Sequence, residues 1–352
     1  MKLVVLPGDG IGPEITEATL AVLHAADARH GLGLRFERQA VGLQALKTAG
    51  STCPAGLLEA CRQADGILLG PLDQLAYPPK AQGGINVSAE LRVQLDLYAN
   101  IRPSRSRAGL RHWGRTPMDL VIVRENTEGF YADRNMHLGL GEFMPTPDLA
   151  LSVRKVTAHA SRRIAQSAFE TARRRRRKVT AVHKGNVLKV SEGLFLREVR
   201  AVAAAFPDVH YEEQLVDSMA ALLVRDAARF DVVVTTNMYG DILSDEAAEL
   251  SGSLGLGAAI NAGSEHCMAQ AQHGSAPDIA GKGVANPVSL ILSAAMLLEW
   301  LGARHGKPAL ADAARSIDQA VDPLLAEPET RTRDLGGSLG TKGFAAAVAA
   351  RM

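Results

Sequence analysis

The chain lacks a charge surplus, a cysteine framework and any apolar run long enough to cross a bilayer. Each absence removes a class of function. Its 39 Lys and Arg against 38 Asp and Glu leave a net charge of +1, so no global field draws it to nucleic acid or to an anionic membrane. The dense basic run Arg173 to Lys178 closes a helical segment, where cations complement the negative end of the helix dipole, and reads as a solvated helix end rather than an RNA-binding patch. The three cysteines, Cys53, Cys61 and Cys267, show no metal or redox spacing and imply free thiols in a reducing compartment. Met1 and Lys2 lead straight into a strand without the apolar core of a signal peptide, so the expectation is a cytoplasmic protein with neither membrane nor nucleic-acid partners. A glycine-rich turn is present at PGDGIGPEI, but its Gly8, Gly10 and Gly12 do not follow G-x-G-x-x-G. A dinucleotide fingerprint is therefore not assigned there.

What is present is an α/β pattern long enough for two domains: 352 residues, 47% apolar and 22% charged. Strands are expected at 2–6, 34–40, 66–70 and 119–124, and further along at 151–156, 179–183, 209–216 and 231–236. The helices between them run over roughly 18 residues after the GDGIG turn and over 54–62, 86–96, 158–175 and 191–206. Alternation of this kind predicts a doubly wound sheet. Residues 71–85 read as a loop beyond a strand's carboxyl end, and the aperiodic stretch around 134–157 as a protruding hairpin arm of the kind exchanged between subunits. Apolar and amphipathic helices opened by the Asn286-Pro287 cap and first-turn pair, by Pro308 and by Thr341 close the chain.

The pattern is centred on FDVVVTTNMYGDILSDEAAELSGS, residues 230–253. A buried parallel strand feeds a helix for which Asn237 is read as the cap, which sets the first helical turns at the sheet edge where open α/β folds bind ligands. Asp241 and Asp245 lie four apart and share a face. Two carboxylates so spaced repel unless a cation lies between them, and hard divalent ions take such oxygen ligands, so the pair points to Mg²⁺ or Mn²⁺. Asp217, directly after another strand, repeats this geometry. Arg124 ends an apolar strand, where burial is costly unless its fork meets an anion. With Arg92 and Arg102 it forms a set suited to a small polycarboxylate. Lys184 ends a further strand and, partly desolvated near other cations, is a candidate base. In the loop 273–286, Asp278 can accept from a ribose diol and repels a 2′-phosphate.

Taken in order, GDGIGPE, LRxxLDLYANIRP, VIVRENTEGFYA, HKGNVL, VTTNMYGDILSDEAAEL and HGSAPDIAGKGVANP resemble the isocitrate and isopropylmalate dehydrogenase family, the metal-dependent β-decarboxylating dehydrogenases. The likeness covers nearly the whole chain. It implies a doubly wound α/β fold distinct from the Rossmann type, with a cofactor-binding domain of 1–99 plus 252–352. A substrate, metal and dimerisation domain would then occupy 100–251. It further implies that Arg92, Arg102 and Arg124 hold malate carboxylates. Asp241 and Asp245 would bind Mg²⁺ or Mn²⁺ together with Asp217 from a second copy in a homodimer, and Tyr131 and the second copy's Lys184 would move protons. The loop residues His273, Gly274, Ser275, Ala276, Asp278, Ile279 and Asn286 would bind NAD, since Asp278-Ile279 resembles the NAD-preferring members and a Lys-Tyr pair the NADP-preferring ones.

The substrate's side group would be read by residues 86–91, where Asn86 and Ser88 are polar and resemble isocitrate enzymes in swapped order, whereas isopropylmalate enzymes carry leucines. Ala89 and Glu90, however, supply no further cation. An isocitrate-like or homoisocitrate-like substrate is slightly preferred, with isopropylmalate, D-malate and tartrate open. A non-catalytic regulatory subunit is the alternative from another class; such chains lose a metal aspartate, the lysine or the tyrosine, all of which this chain keeps.

Overall fold

The computed structural model describes residues 1–131, 136 and 141–352. Two units divide the chain: one made of Met1–Leu95, Arg107–Arg111 and Gly252–Met352, the other of Asp96–Ser106 and His112–Ser251. The first begins with β1 (Lys2–Leu6), α1 (Gly12–His30), β2 (Arg35–Arg38), α2 (Gly42–Ala49), α3 (Leu57–Arg62), β3 (Gly66–Leu69) and α4 (Val87–Gln94). The second holds β4 (Ala99–Arg105), β5 (Asp119–Glu125), β6 (Glu142–Thr146), β7 (Leu149–Ser152), α5 (Ala158–Arg173) and β8 (Lys178–His183). It continues with α6 (Ser191–Ala203), β9 (His210–Leu215), α7 (Val216–Asp226), β10 (Val232–Thr235) and α8 (Asn237–Ser251). The chain then returns to the first unit for β11 (Ile260–Ala262), β12 (Cys267–Gln270), α9 (Val288–His305), α10 (Pro308–Ala326) and α11 (Thr341–Arg351).

In the first unit the strands lie in the order β2-β1-β3-β12-β11, with β1 parallel to β2 and β3, and β12 parallel to β3. In the second the order is β4-β5-β10-β8-β9, parallel from β5 to β9 and antiparallel only between β4 and β5. The alternation of side chains along each strand builds two cores on this second sheet. Val121, Val123, Val179, Ala181, Val232 and Val234 pack under α5 and α6, whereas Leu120, Ile122, Val182 and Val233 pack under α7 and α8. Helices on both faces make this unit doubly wound.

Several expectations shift by a few residues. The strand expected at 151–156 forms at Leu149–Ser152, as half of an antiparallel hairpin with β6; residues 132–135 and 137–140 of the expected arm lie outside the described residues. Pro287, not Asn286, holds the cap position of α9, although the Asn286 side chain still accepts from the Val288 N–H at 3.0 Å. Asn237 is the first residue of α8 rather than a flanking cap. Helix α2 was not expected; its first turn is held by the Asp9 carboxylate, which accepts from the Leu43 N–H at 2.7 Å. The basic run is tied to acidic neighbours, Arg173 to Asp208 at 2.7 Å and Arg175 to Asp119 and Asp231 at 2.8 Å. The thiols are free, with burial pushing Cys53 up to about 11 and Cys61 up to about 12. Among the described residues no helix is long and apolar enough to cross a membrane.

Candidate active site

Parallel pairing of β5 with β10 sets Arg124 beside Thr235, and antiparallel pairing of β4 with β5 sets Asn100 beside Arg124, with Arg102 two residues further along β4. Helix α8 starts at the end of β10 and crosses this edge. Its residues Asn237, Asp241, Ser244 and Asp245 fall on one face by helical spacing and meet both arginines. The Arg124 Nε donates to Asn237 Oδ1 at 2.8 Å and its Nη1 to Asp241 Oδ1. The Arg102 Nη1 donates to Ser244 Oγ at 2.8 Å, Asp245 Oδ1 at 3.1 Å and Asp241 Oδ1 at 3.3 Å, while its Nε donates to Asn100 at 3.1 Å. The helix can come this close because residue 240 is glycine. A Cβ there would stand 2.6 Å from the Arg124 Cβ.

The electrostatics are asymmetric. Side chains of Arg102 and Arg124 are 7% and 3% exposed, whereas those of Asp241 and Asp245 are 37% and 49% exposed. Burial, with the like charge of Arg124, brings Arg102 down to about 10, still protonated at neutral pH. The result is a buried doubly cationic floor with a carboxylate pair on its solvent side. Tyr131 stands at the rim, its Oη 3.5 Å from Asp241 Oδ2 and its ring 5.9 Å from the Arg124 guanidinium. All-oxygen donors at an accessible helix face fit a hard divalent ion. Among the described residues, however, no three His, Cys, Asp or Glu side chains gather to hold a metal within one chain.

Asp217 and Lys184 come together elsewhere in this unit. Strands β8 and β9 run in register with His183 opposite Leu215, so the residues just beyond them are neighbours. Lys184 Nζ donates to Asp217 Oδ1 at 2.5 Å, and that contact holds the Asp217 carboxyl below its usual range.

In the first unit, Asn86 caps α4 by accepting from the Ala89 N–H at 3.0 Å and donates to Gln74 at 2.7 Å. Ser88 and Arg92 both donate to Gln270 Oε1 at 3.0 Å. The loop carrying the expected cofactor residues is pinned to the GDGIG turn: the Ile11 N–H donates to the Ser275 carbonyl at 2.8 Å, and a Cβ on Gly10 (φ +57°) would lie 2.0 Å from that oxygen. The glycine there gives close backbone approach to the loop. Gly274 and Asp278 are exposed, and Pro277–Ile279 forms one 3₁₀ turn after Ala276, which is left-handed. His273 is pushed down by burial, with its Nδ1 3.0 Å from the Gly274 carbonyl. Asn286 is committed to Val288 and to Asp334 at 2.9 Å. Asn100, Asn237, Gly240, Ser244 and Gln270 were not foreseen as site residues. The spacing of Asn237, Asp241 and Ser244 on one helical face was the signal available for two of them.

A sequence profile of the isocitrate/isopropylmalate dehydrogenase family matches residues 2–348. The chain is 40% identical over 349 residues to a 3-isopropylmalate dehydrogenase of Archaeoglobus fulgidus, covering 99% of this chain and 98% of the relative. It is also 40% identical over 348 residues to an isocitrate/homoisocitrate dehydrogenase of Thermus thermophilus, with 99% and 97% covered. The crystal structure of isocitrate dehydrogenase from Methylococcus capsulatus superposes with a TM-score of 0.88 at 40% identity, covering 99% of this chain and 98% of that one. With the motifs, the doubly wound fold and these likenesses in agreement, the chain is a member of the isocitrate/isopropylmalate dehydrogenase family and a decarboxylating oxidoreductase of hydroxy acids.

Proposed function

We propose that the protein is an NAD-dependent, Mg²⁺- or Mn²⁺-assisted dehydrogenase that oxidatively decarboxylates a 3-substituted D-malate, with an isocitrate-like or homoisocitrate-like side group preferred over isopropyl. The observation that carries this is the buried Arg102 and Arg124 pair facing the exposed Asp241 and Asp245 carboxylates. Two guanidinium forks grip substrate carboxylates, and Arg92 supplies the third. Asp241 and Asp245, joined by Asp217 of a second copy, would hold the ion, which supplies Lewis-acid stabilisation of negative charge on substrate oxygen. Lys184 of that second copy would take the proton of the 2-hydroxyl at Nζ, and NAD, which the loop around Asp278 would hold, would supply the hydride-accepting chemistry. Tyr131 then returns a proton from Oη to the carbon that has lost CO₂. Lys184 and Asp217 are hydrogen-bonded to one another, so they would be delivered together.

A homodimer with shared sites is supported by exposed apolar side chains. Every residue of β6 and β7 is exposed, including Phe143 and Met144, and a lone two-stranded hairpin is marginal in water. Val187, Val190 and Ile242, near Lys184 and Asp241 in sequence, are 65%, 89% and 60% exposed. The exposed Asp278 favours NAD over its 2′-phosphorylated form. The test is initial-rate measurement with NAD⁺ and NADP⁺ on isocitrate, homoisocitrate, 3-isopropylmalate, D-malate and tartrate, with and without Mn²⁺. Metal-dependent NADH formation with an acidic side group preferred is the expected result, and a preference for isopropylmalate or for NADP⁺ would overturn the finer assignment.

A further inference from the structure

Lys184 sits in a turn whose geometry is set by the residue before it. His183 ends β8 and is half-buried, and strand alternation puts its ring on the same face as Ala181, under α5 and α6. The Gly185 backbone N–H donates to His183 Nδ1 at 3.0 Å. A backbone amide can only donate, so Nδ1 carries no proton and the ring is the neutral form with its N–H on Nε2. This bond spans the Lys184 residue. On the other side the Lys184 carbonyl accepts from the N–H groups of Val187 at 3.1 Å and Leu188 at 2.9 Å. The Lys184 backbone is thus held from both sides, and its side chain leaves in the direction that brings Nζ to Asp217. The neighbouring carboxylate on β9, Glu213, is taken by Arg200 and Tyr211, each at 2.7 Å.

We infer that His183 is a positioning residue for Lys184, holding the turn that aims its amine; this rests on the reading of Lys184 as the group that takes the 2-hydroxyl proton. The bond runs from the side chain of one residue to the N–H two residues on, which is the geometry of an Asx-turn. Histidine supplies it through Nδ1, joined to Cγ just as Oδ1 of an asparagine is. Phenylalanine places a C–H at the same point and accepts nothing. A four-carbon lysine stem is flexible, so the backbone from which it starts decides where Nζ arrives. A displacement of about 1 Å at a proton-transferring group costs up to roughly 10²-fold in rate. The acceptor on His183 therefore acts on turnover through Lys184, without touching the substrate itself.

The experiment compares His183→Phe with His183→Asn, each alone and in a Lys184→Met background. Two readouts are taken: amide hydrogen exchange at Gly185 in the protein without ligands, and steady-state kinetics with NAD⁺, Mn²⁺ and whichever acid of the panel above turns over fastest. His183→Phe is expected to speed exchange at Gly185 and to lower kcat by roughly ten- to a hundredfold with little change in substrate KM. His183→Asn should keep the amide protected and restore most of the lost turnover. In the Lys184→Met background His183→Phe should lower turnover no further, because the group it positions is gone. His183→Leu, which also lacks an acceptor, carries the test should His183→Phe fail to fold. An equal fall in kcat for the Phe and Asn variants, or the same fall with and without Lys184, would reduce His183 to a packing role and overturn the inference. Undiminished turnover in Lys184→Met alone would instead overturn the reading of Lys184 on which it rests.

Discussion

Replacing Asp241 by asparagine separates the two jobs assigned to this carboxylate. Asp241 contacts Nη1 of both Arg102 and Arg124, whose side chains are 7% and 3% exposed. Removing one partner of a fully buried pair costs about 3–5 kcal/mol, and an exposed pair contributes about 0–1 kcal/mol. The carboxylate itself is 37% exposed, Arg102 retains Asp245, and Arg124 retains Asn237. An intermediate loss of about 2 kcal/mol follows, and asparagine keeps the shape and one acceptor oxygen. At about 2–4 °C per kcal/mol for units of this size, thermal unfolding in EDTA should fall by roughly 6 °C. Manganese ion reverses the comparison: at one hundred times its Kd it stabilises the wild type by about 2.7 kcal/mol, and Asp241→Asn should lose most of that gain. An Asp241→Asn protein that melts with the wild type in EDTA would remove the argument from the buried cations. One that keeps the full Mn²⁺ shift would remove the metal assignment.

Lys184→Met is expected to cut turnover by roughly 10²- to 10⁴-fold while the Mn²⁺ shift in melting temperature is retained; loss of that shift would mean that Lys184 holds the ion's ligands rather than moving a proton. Asp278→Lys should move the NAD⁺ to NADP⁺ ratio of kcat/KM toward NADP⁺ by roughly tenfold or more, and an unchanged ratio would exclude Asp278 from the ribose. Glu246, half-buried on α8, is pushed up by desolvation from 4.5 to about 6. Because the folded value is the higher one, its protonated form favours the fold below pH 4.5, and that contribution is lost as pH rises through 6. Glu246→Gln should therefore be more stable than the wild type at pH 8 by about 1 kcal/mol, after discounting for solvent screening, and no more stable at pH 4, as measured by urea unfolding at the two pH values.

The buried β-branched run of β10 and the i, i+4 aspartates after it were readable from local pattern, because a strand buried on both faces and a helical face each have a fixed period. Arg124 was marked by its cost: a charge at the end of an apolar strand must have a partner. Which partner it has was not readable, since Asp241 lies 117 residues away and reaches it only through the pairing of β5 with β10. The same holds for α2, whose first turn is held by Asp9 from 34 residues earlier, and for Asn237, whose polar side chain resembles a cap in sequence and instead holds Arg124.

By itself the sequence determined the alternation of strands and helices, the acidic face of α8 and the family motifs, all of which are local or in chain order. Tertiary structure alone decided that Gly240 lets α8 close onto Arg124, that Lys184 and Asp217 stand together, and that Ser88 and Arg92 share one oxygen of Gln270. These contacts join residues whose spacing along the chain carries no period, and hydrogen bonds between them exist only after the sheet register has set the distances.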